Sequence, residues 1–88
     1  MGEVVCTLIV NGKQTDLVLP DNVPVHLLSR SICSALKLPV KDNQPLDLYL
    51  VENSGDMLIR SSRTLSQAKL INGSFLRLVP QAANNQKL

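Results

Sequence analysis

The sequence predicts an α+β domain in which one amphipathic helix packs across a mixed sheet of four to five strands. Two observations carry that expectation. Alternating apolar runs and helical spacing follow one another as strand, strand, helix, strand, short strand, strand, the element set of a two-layer domain. In addition, Asn11-Gly12 stands between the first two β-rich runs, and Asn-Gly in that setting is the strongest short-range hairpin signal.

The hairpin sets a register. With Asn11 and Gly12 as its loop, Val10 lies opposite Lys13, Leu8 opposite Thr15, Cys6 opposite Leu17 and Val4 opposite Leu19. Side chains alternate faces along a strand, so Val4, Cys6, Leu8, Leu17 and Leu19 share the core face, and Gln14 and Asp16 take the other. Pro20-Asp21-Asn22-Val23-Pro24 then stops the strand and starts a helix over 24–36. Pro24 suits a first helical position, and the side chains of Asp21 and Asn22 stand where they can meet unpaired amides. Val25, Leu28, Ile32, Ala35 and Leu36 recur at helical spacing and form the stripe that faces the sheet, and Pro39 closes the helix.

After the polar link 40–45, Leu46-Asp47-Leu48-Tyr49-Leu50-Val51 alternates as a half-buried strand does. Asn53-Ser54-Gly55-Asp56 reads as a turn, Met57-Leu58-Ile59 as a short strand, and the stretch from Arg63 to Leu70 as one irregular or 3₁₀ turn. Asn72-Gly73 turns the chain into a last strand, 74–79, which Pro80 ends. The expected organisation is one folded domain over residues 1–80 and a flexible tail over 81–88.

Composition narrows the function. A chain of 88 residues has room for one core, and 44% hydrophobic residues with one Phe, one Tyr and no Trp make that core aliphatic. The net charge of +2 comes from Lys and Arg residues scattered without a run, so a solvated surface is a better reading than nucleic-acid binding. No apolar stretch approaches a membrane span, and Cys6 and Cys33 fall in predicted core elements. They read as small hydrophobes in a reducing cytoplasm, without a disulfide.

Chemistry-bearing constellations are sparse. His26 is the sole histidine and sits on the first helical turn, where a surface or capping role outweighs catalysis. Cys6, Cys33 and His26 lack the paired spacing of a structural zinc site, and no glycine-rich phosphate loop is present. The expectation is no catalytic residue, no metal and no cofactor.

The last third, Arg63-Thr64-Leu65-Ser66 followed by Leu70-Ile71-Asn72-Gly73-Ser74-Phe75-Leu76-Arg77-Leu78-Val79, is similar to the ending of ubiquitin. That resemblance covers about 4–79 and implies the ubiquitin-like β-grasp fold. Leu19-Pro20-Asp21-Asn22-Val23-Pro24-Val25 followed by Leu27-Leu28, with Leu65, Ala68, Leu70, Asn72, Gly73 and Leu76 further on, resembles the YukD and EsaB-like family. These are ubiquitin-like proteins associated with type VII secretion in Gram-positive bacteria, and similar domains begin the membrane protein EccD. The resemblance implies a cytoplasmic accessory or regulatory component, recruited to the inner face of the membrane by a membrane protein or ATPase of that machine.

Conjugated modifiers and sulfur carriers of this fold need a flexible C-terminal Gly-Gly, and this sequence ends Asn85-Gln86-Lys87-Leu88 with no glycine after Gly73. A processed modifier or sulfur carrier is therefore the rival reading, and a stand-alone relict of a membrane transporter's domain is a third. The place left for function is the outer sheet face. By analogy with ubiquitin it brings Tyr49, Arg77 and Val79 together as a part-apolar, part-basic docking patch, with Lys13 as a rim charge at the hairpin tip.

Overall fold

The computed structural model describes residues 2–38 and 45–80. The expected stop at Pro39, most of the polar link and the tail over 81–88 lie outside the described residues. The elements are β1 (Glu3–Val10), β2 (Lys13–Pro20), α1 (Val25–Leu36), β3 (Leu46–Glu52), β4 (Gly55–Ile59) and β5 (Ser74–Pro80). The strands make one sheet in the order β2-β1-β5-β3-β4, in which β1 and β5 run parallel and every other pair antiparallel.

The hairpin register is the expected one from Val10↔Lys13 to Val4↔Leu19. Asn11 (φ 52) and Gly12 (φ 79) both take the positive φ that a type I′ turn requires. At the other end of β1, Asn72 and Gly73 clasp Val5: its N–H donates to Asn72 Oδ1 at 2.9 Å, and its carbonyl accepts from the Gly73 N–H at 2.8 Å. That clasp starts β5 alongside β1 in the parallel sense.

The core is one aliphatic cluster. Val4, Cys6, Leu8 and Leu19 from the hairpin meet Leu48, Ile59, Leu76 and Leu78 from the other strands, and Val25, Leu28, Ile32 and Cys33 close it from the helix. Leu17, expected in the core, is half-buried beneath the edge of the sheet. Ala35 is exposed, because the buried stripe follows 25, 28, 29, 32 and 33 and position 35 falls to one flank of it. Burial pushes both thiols above their ordinary pKa of 9.0, and at Cys33 it outweighs an opposing pull from Arg30.

The helix termini are satisfied differently from the sequence expectation. No side chain caps the helix start. Instead the Val25 N–H donates to the Arg63 carbonyl at 2.8 Å and the His26 N–H to the Ser61 carbonyl at 3.0 Å. Asp21 serves elsewhere: its carboxylate accepts from the Gly2 N–H at 2.9 Å and its own N–H returns a bond to the Gly2 carbonyl at 3.0 Å. It fastens the start of the chain, not the helix. At the far end Lys37 adopts φ 54, and bonds from Lys37 N–H to Ser34 O and Leu38 N–H to Cys33 O make a Schellman ending.

The stretch that supplies those capping carbonyls is itself ordered by a capping box. The Thr64 N–H donates to Gln67 Oε1 at 3.0 Å, and the Gln67 N–H donates to Thr64 Oγ1 at 3.1 Å. The Ala68 N–H donates to the Thr64 carbonyl at 3.1 Å and the Lys69 N–H to the Ser66 carbonyl at 3.0 Å, so the stretch mixes an α-type with a 3₁₀-type bond, in keeping with the irregular turn expected there. Leu65 on that turn is fully buried.

Candidate interaction surface

Pairing and strand parity build the outer face residue by residue. Tyr49 stands directly opposite Arg77 on one side and Leu58 on the other, and Arg77 stands opposite Ile9 across the parallel pair. One row of this face therefore reads Ile9, Arg77, Tyr49, Leu58. The next reads Thr7, Phe75, Val51, Asp56, and Val79 lies opposite Asp47 beyond the first row. Tyr49, Arg77 and Val79 come together as expected.

Lys13 does not join them. It pairs with Val10, a position of core-facing parity, and borders a hollow with Leu36 and Leu38 at the C-terminal end of the helix. A rim charge at the hairpin tip thus belongs to the helix side of the sheet. The physical reason is the strict two-residue period of a strand: the register that puts Leu17 and Leu19 inward carries Lys13 with them.

Phe75, exposed to 42%, and Leu58, exposed to 49%, are surface residues that the sequence reading passed over. Phe75 has the parity of Arg77 and Val79, so alternation along β5 would have found it. Val5 and Val18, paired across the hairpin, extend the apolar area toward β2. Large contiguous apolar patches are the kind of surface that interaction sites use.

The face is less basic than expected. Arg77 Nε donates to Asp56 Oδ2 at 2.8 Å, a bond that reaches diagonally across β3 and neutralises the charge. Within the five strands Arg77 is the basic residue of this face, whereas Glu3, Asp16, Asp47 and Asp56 share it. At the hairpin rim, Thr7 Oγ1 donates to Asp16 Oδ1 at 2.8 Å. The surface is an apolar band with an acidic margin.

The helix side holds the other polar groups. His26 is exposed, and its Nδ1 donates to the Ser61 carbonyl at 2.9 Å, reinforcing the backbone clamp on the helix start. Beside it Ser29 is buried, and its Oγ has no hydrogen-bond partner among the described residues. Ser29→Ala removes that unmet hydroxyl and raises helix propensity, so both changes act in one direction. A stability gain of about 1 kcal/mol is expected in urea titration, and a loss would reveal a partner for the hydroxyl. Among the described residues no group of three or more His, Cys, Asp or Glu side chains is arranged to hold a metal ion, and no helix is long and apolar enough to cross a membrane.

One helix on a five-stranded mixed sheet in this order defines the class: a ubiquitin-like β-grasp domain. Solved structures agree. The ubiquitin-like domain of EccD5 from Mycobacterium xenopi superposes with a TM-score of 0.67 at 16% identity, covering 96% of this chain and 100% of that one. The ubiquitin-like domain of the Mycobacterium tuberculosis type VII secretion system protein EccD1 gives 0.61 at 22% identity over 90% and 99%. A chain of the MycP5-free ESX-5 inner membrane complex gives 0.71 at 20% identity, over 100% of this chain and 23% of that one. A search of curated proteins returns no sequence match. Residues 4–78 match the family described as WXG100 protein secretion system (Wss), protein YukD, and the chain belongs to that family. The family links it to the WXG100 protein secretion system, and the EccD neighbours share its fold.

Proposed function

We propose that the chain is a non-catalytic docking module of a bacterial type VII secretion system. It works in the cytoplasm, presenting the outer face of its sheet to a protein component of that machine at the inner face of the membrane. The observation that carries this reading is the apolar band of Ile9, Tyr49, Leu58, Phe75 and Val79 on one face of the sheet, in which Leu58, Phe75 and Val79 are exposed and Ile9 and Tyr49 half-buried. The matched chain of the ESX-5 structure belongs to an inner membrane complex, which supports membrane proteins or an ATPase of the same machine as the partner class. Tyr49 and Phe75 are the anchors, because aromatic side chains dominate interface energetics. Arg77 orients the margin through Asp56, and Lys13 drops out.

The test is co-purification of the tagged chain with the membrane complex and ATPase of its own secretion system. The double variant Tyr49→Ala, Phe75→Glu leaves the Arg77–Asp56 pair intact and places a charge at the centre of the band. Loss of two such anchors is expected to weaken capture at least about 30-fold. Undiminished capture by a double variant that circular dichroism shows to be folded overturns the surface.

A further inference from the structure

We propose that the open edge of β4 accepts an extended, acidic segment of a partner protein as an added strand, selected by Arg60, Arg63 and Lys69. This edge shares Leu58 with the outer-face band, but the proposal does not depend on that reading. The sheet has two open edges, β2 and β4. An edge strand turns alternate N–H and C=O groups away from its neighbour, ready to pair with another chain. Among the described residues, no backbone group of Gly55–Ile59 bonds outside the pairing with β3.

What distinguishes β4 from β2 is its surroundings. A groove of about 320 Å³ runs between β4 and the turn at 64–70, with Met57, Leu58 and Ala68 as its apolar walls. Met57 is exposed to 44% and Leu58 to 49%, on opposite sides of the strand. Arg60, Arg63 and Lys69 also line the groove, all three exposed. No ion pair is seen at any of the three among the described residues, whereas Arg77 is held by Asp56. Three uncompensated cations around an open strand exceed the net charge of the whole chain, +2. By contrast β2 carries Lys13 and Asp16, of opposite sign, and ends in Pro20.

Backbone pairing supplies affinity without regard to sequence, and flanking side chains supply selection. The matching segment is strand-forming, with small aliphatic residues toward Met57 and Ala68 and carboxylates toward the three cations. Opposite charges at this rim add modest energy each but strongly penalise a basic competitor.

The experiment titrates the whole isotope-labelled chain with a synthetic peptide of about ten residues alternating valine and glutamate, with amide resonances and exchange as readouts. Two comparison peptides carry lysine for glutamate, or N-methyl groups on alternate amides. Expected are shifts and slowed exchange confined to 55–59 and the 63–69 turn, salt-sensitive binding, and no binding of either comparison peptide. Arg60→Glu, Arg63→Glu is expected to weaken binding about tenfold or more. Tyr49→Ala, Phe75→Glu is expected to leave it unchanged, so failure here and failure of the outer-face reading are read separately. Shifts on β2, equal binding of the lysine peptide, absence of peptide binding, or capture only by vesicles of phosphatidylserine overturn the proposal.

Discussion

Leu65→Ala is expected to lower the unfolding free energy by about 3 kcal/mol, a large share of what a small domain possesses. The side chain is 0% exposed, although it comes from a connecting turn and not from a regular element. Its truncation leaves a hole among the core leucines, and the cost of such a hole depends on how far the surroundings can collapse into it. Here collapse is opposed. The Thr64–Gln67 capping box fixes the turn from within, and a Ser66 N–H to Asp21 carbonyl bond of 2.9 Å fixes it from without. The same stretch offers the carbonyls of Ser61 and Arg63 to the first helical amides, so loosening it also frays α1. Urea titration should give a lower midpoint with an unchanged slope, and hydrogen exchange should quicken at Val25 and His26. Leu27→Ala, at a residue 52% exposed on the same helix, is the comparison and should cost under about 0.5 kcal/mol. A Leu65 effect no larger than that one contradicts a rigid, packed turn.

What could be read beforehand follows from the range of the forces involved. The β1–β2 register is local: Asn11-Gly12 dictates the turn, the turn dictates every pair behind it, and the apolar alternation agrees. The helix was legible from its stripe, except where an end position such as Ala35 depends on how far the sheet extends beneath it. The insertion of β5 between β1 and β3 has no local signature, and the analogy with ubiquitin reached only as far as bringing Tyr49, Arg77 and Val79 together. Lys37 and Lys69, at φ 54 and φ 61, show the limit from the other side. Glycine usually advertises a left-handed helix end, and lysine does not. The Thr64-x-x-Gln67 pattern, in contrast, was readable as a capping box without any structure.

The surface was legible in part for the same reasons. Tyr49, Arg77 and Val79 follow from parity once the two strands are known to be neighbours. The Arg77–Asp56 bond does not, because it needs the β3–β4 pairing and a diagonal reach across it. That bond changes the chemistry expected of a partner. An arginine available to a carboxylate would recruit an acidic surface to the outer face. A neutralised one leaves apolar contact in command there, while the free cations gather around the edge of β4.

That edge makes the second large effect, at Gly55. Gly55→Ala is expected to destabilise the protein by about 2 kcal/mol, although an added Cβ would meet nothing within 4 Å. The cost is conformational. Gly55 has φ 127, beyond the left-handed well, in a region that residues with a Cβ hardly populate. It opens β4 directly after the Asn53-Ser54 turn, opposite Glu52, so relaxing its φ would shift the pairing of the whole strand with β3. Gly12, at φ 79, provides the contrast. There asparagine tolerates the left-handed conformation, so Gly12→Asn should recover much of what Gly12→Ala loses. At Gly55 asparagine should be no better than alanine. Because β4 is bound along one side alone and delivers Ile59 to the core, the damage should appear first as faster exchange over 55–59 and then as a lower urea midpoint. If Gly55→Asn matches the parent protein in both measurements, the backbone at the start of β4 is ordinary left-handed turn, and the strain assigned to this corner is absent.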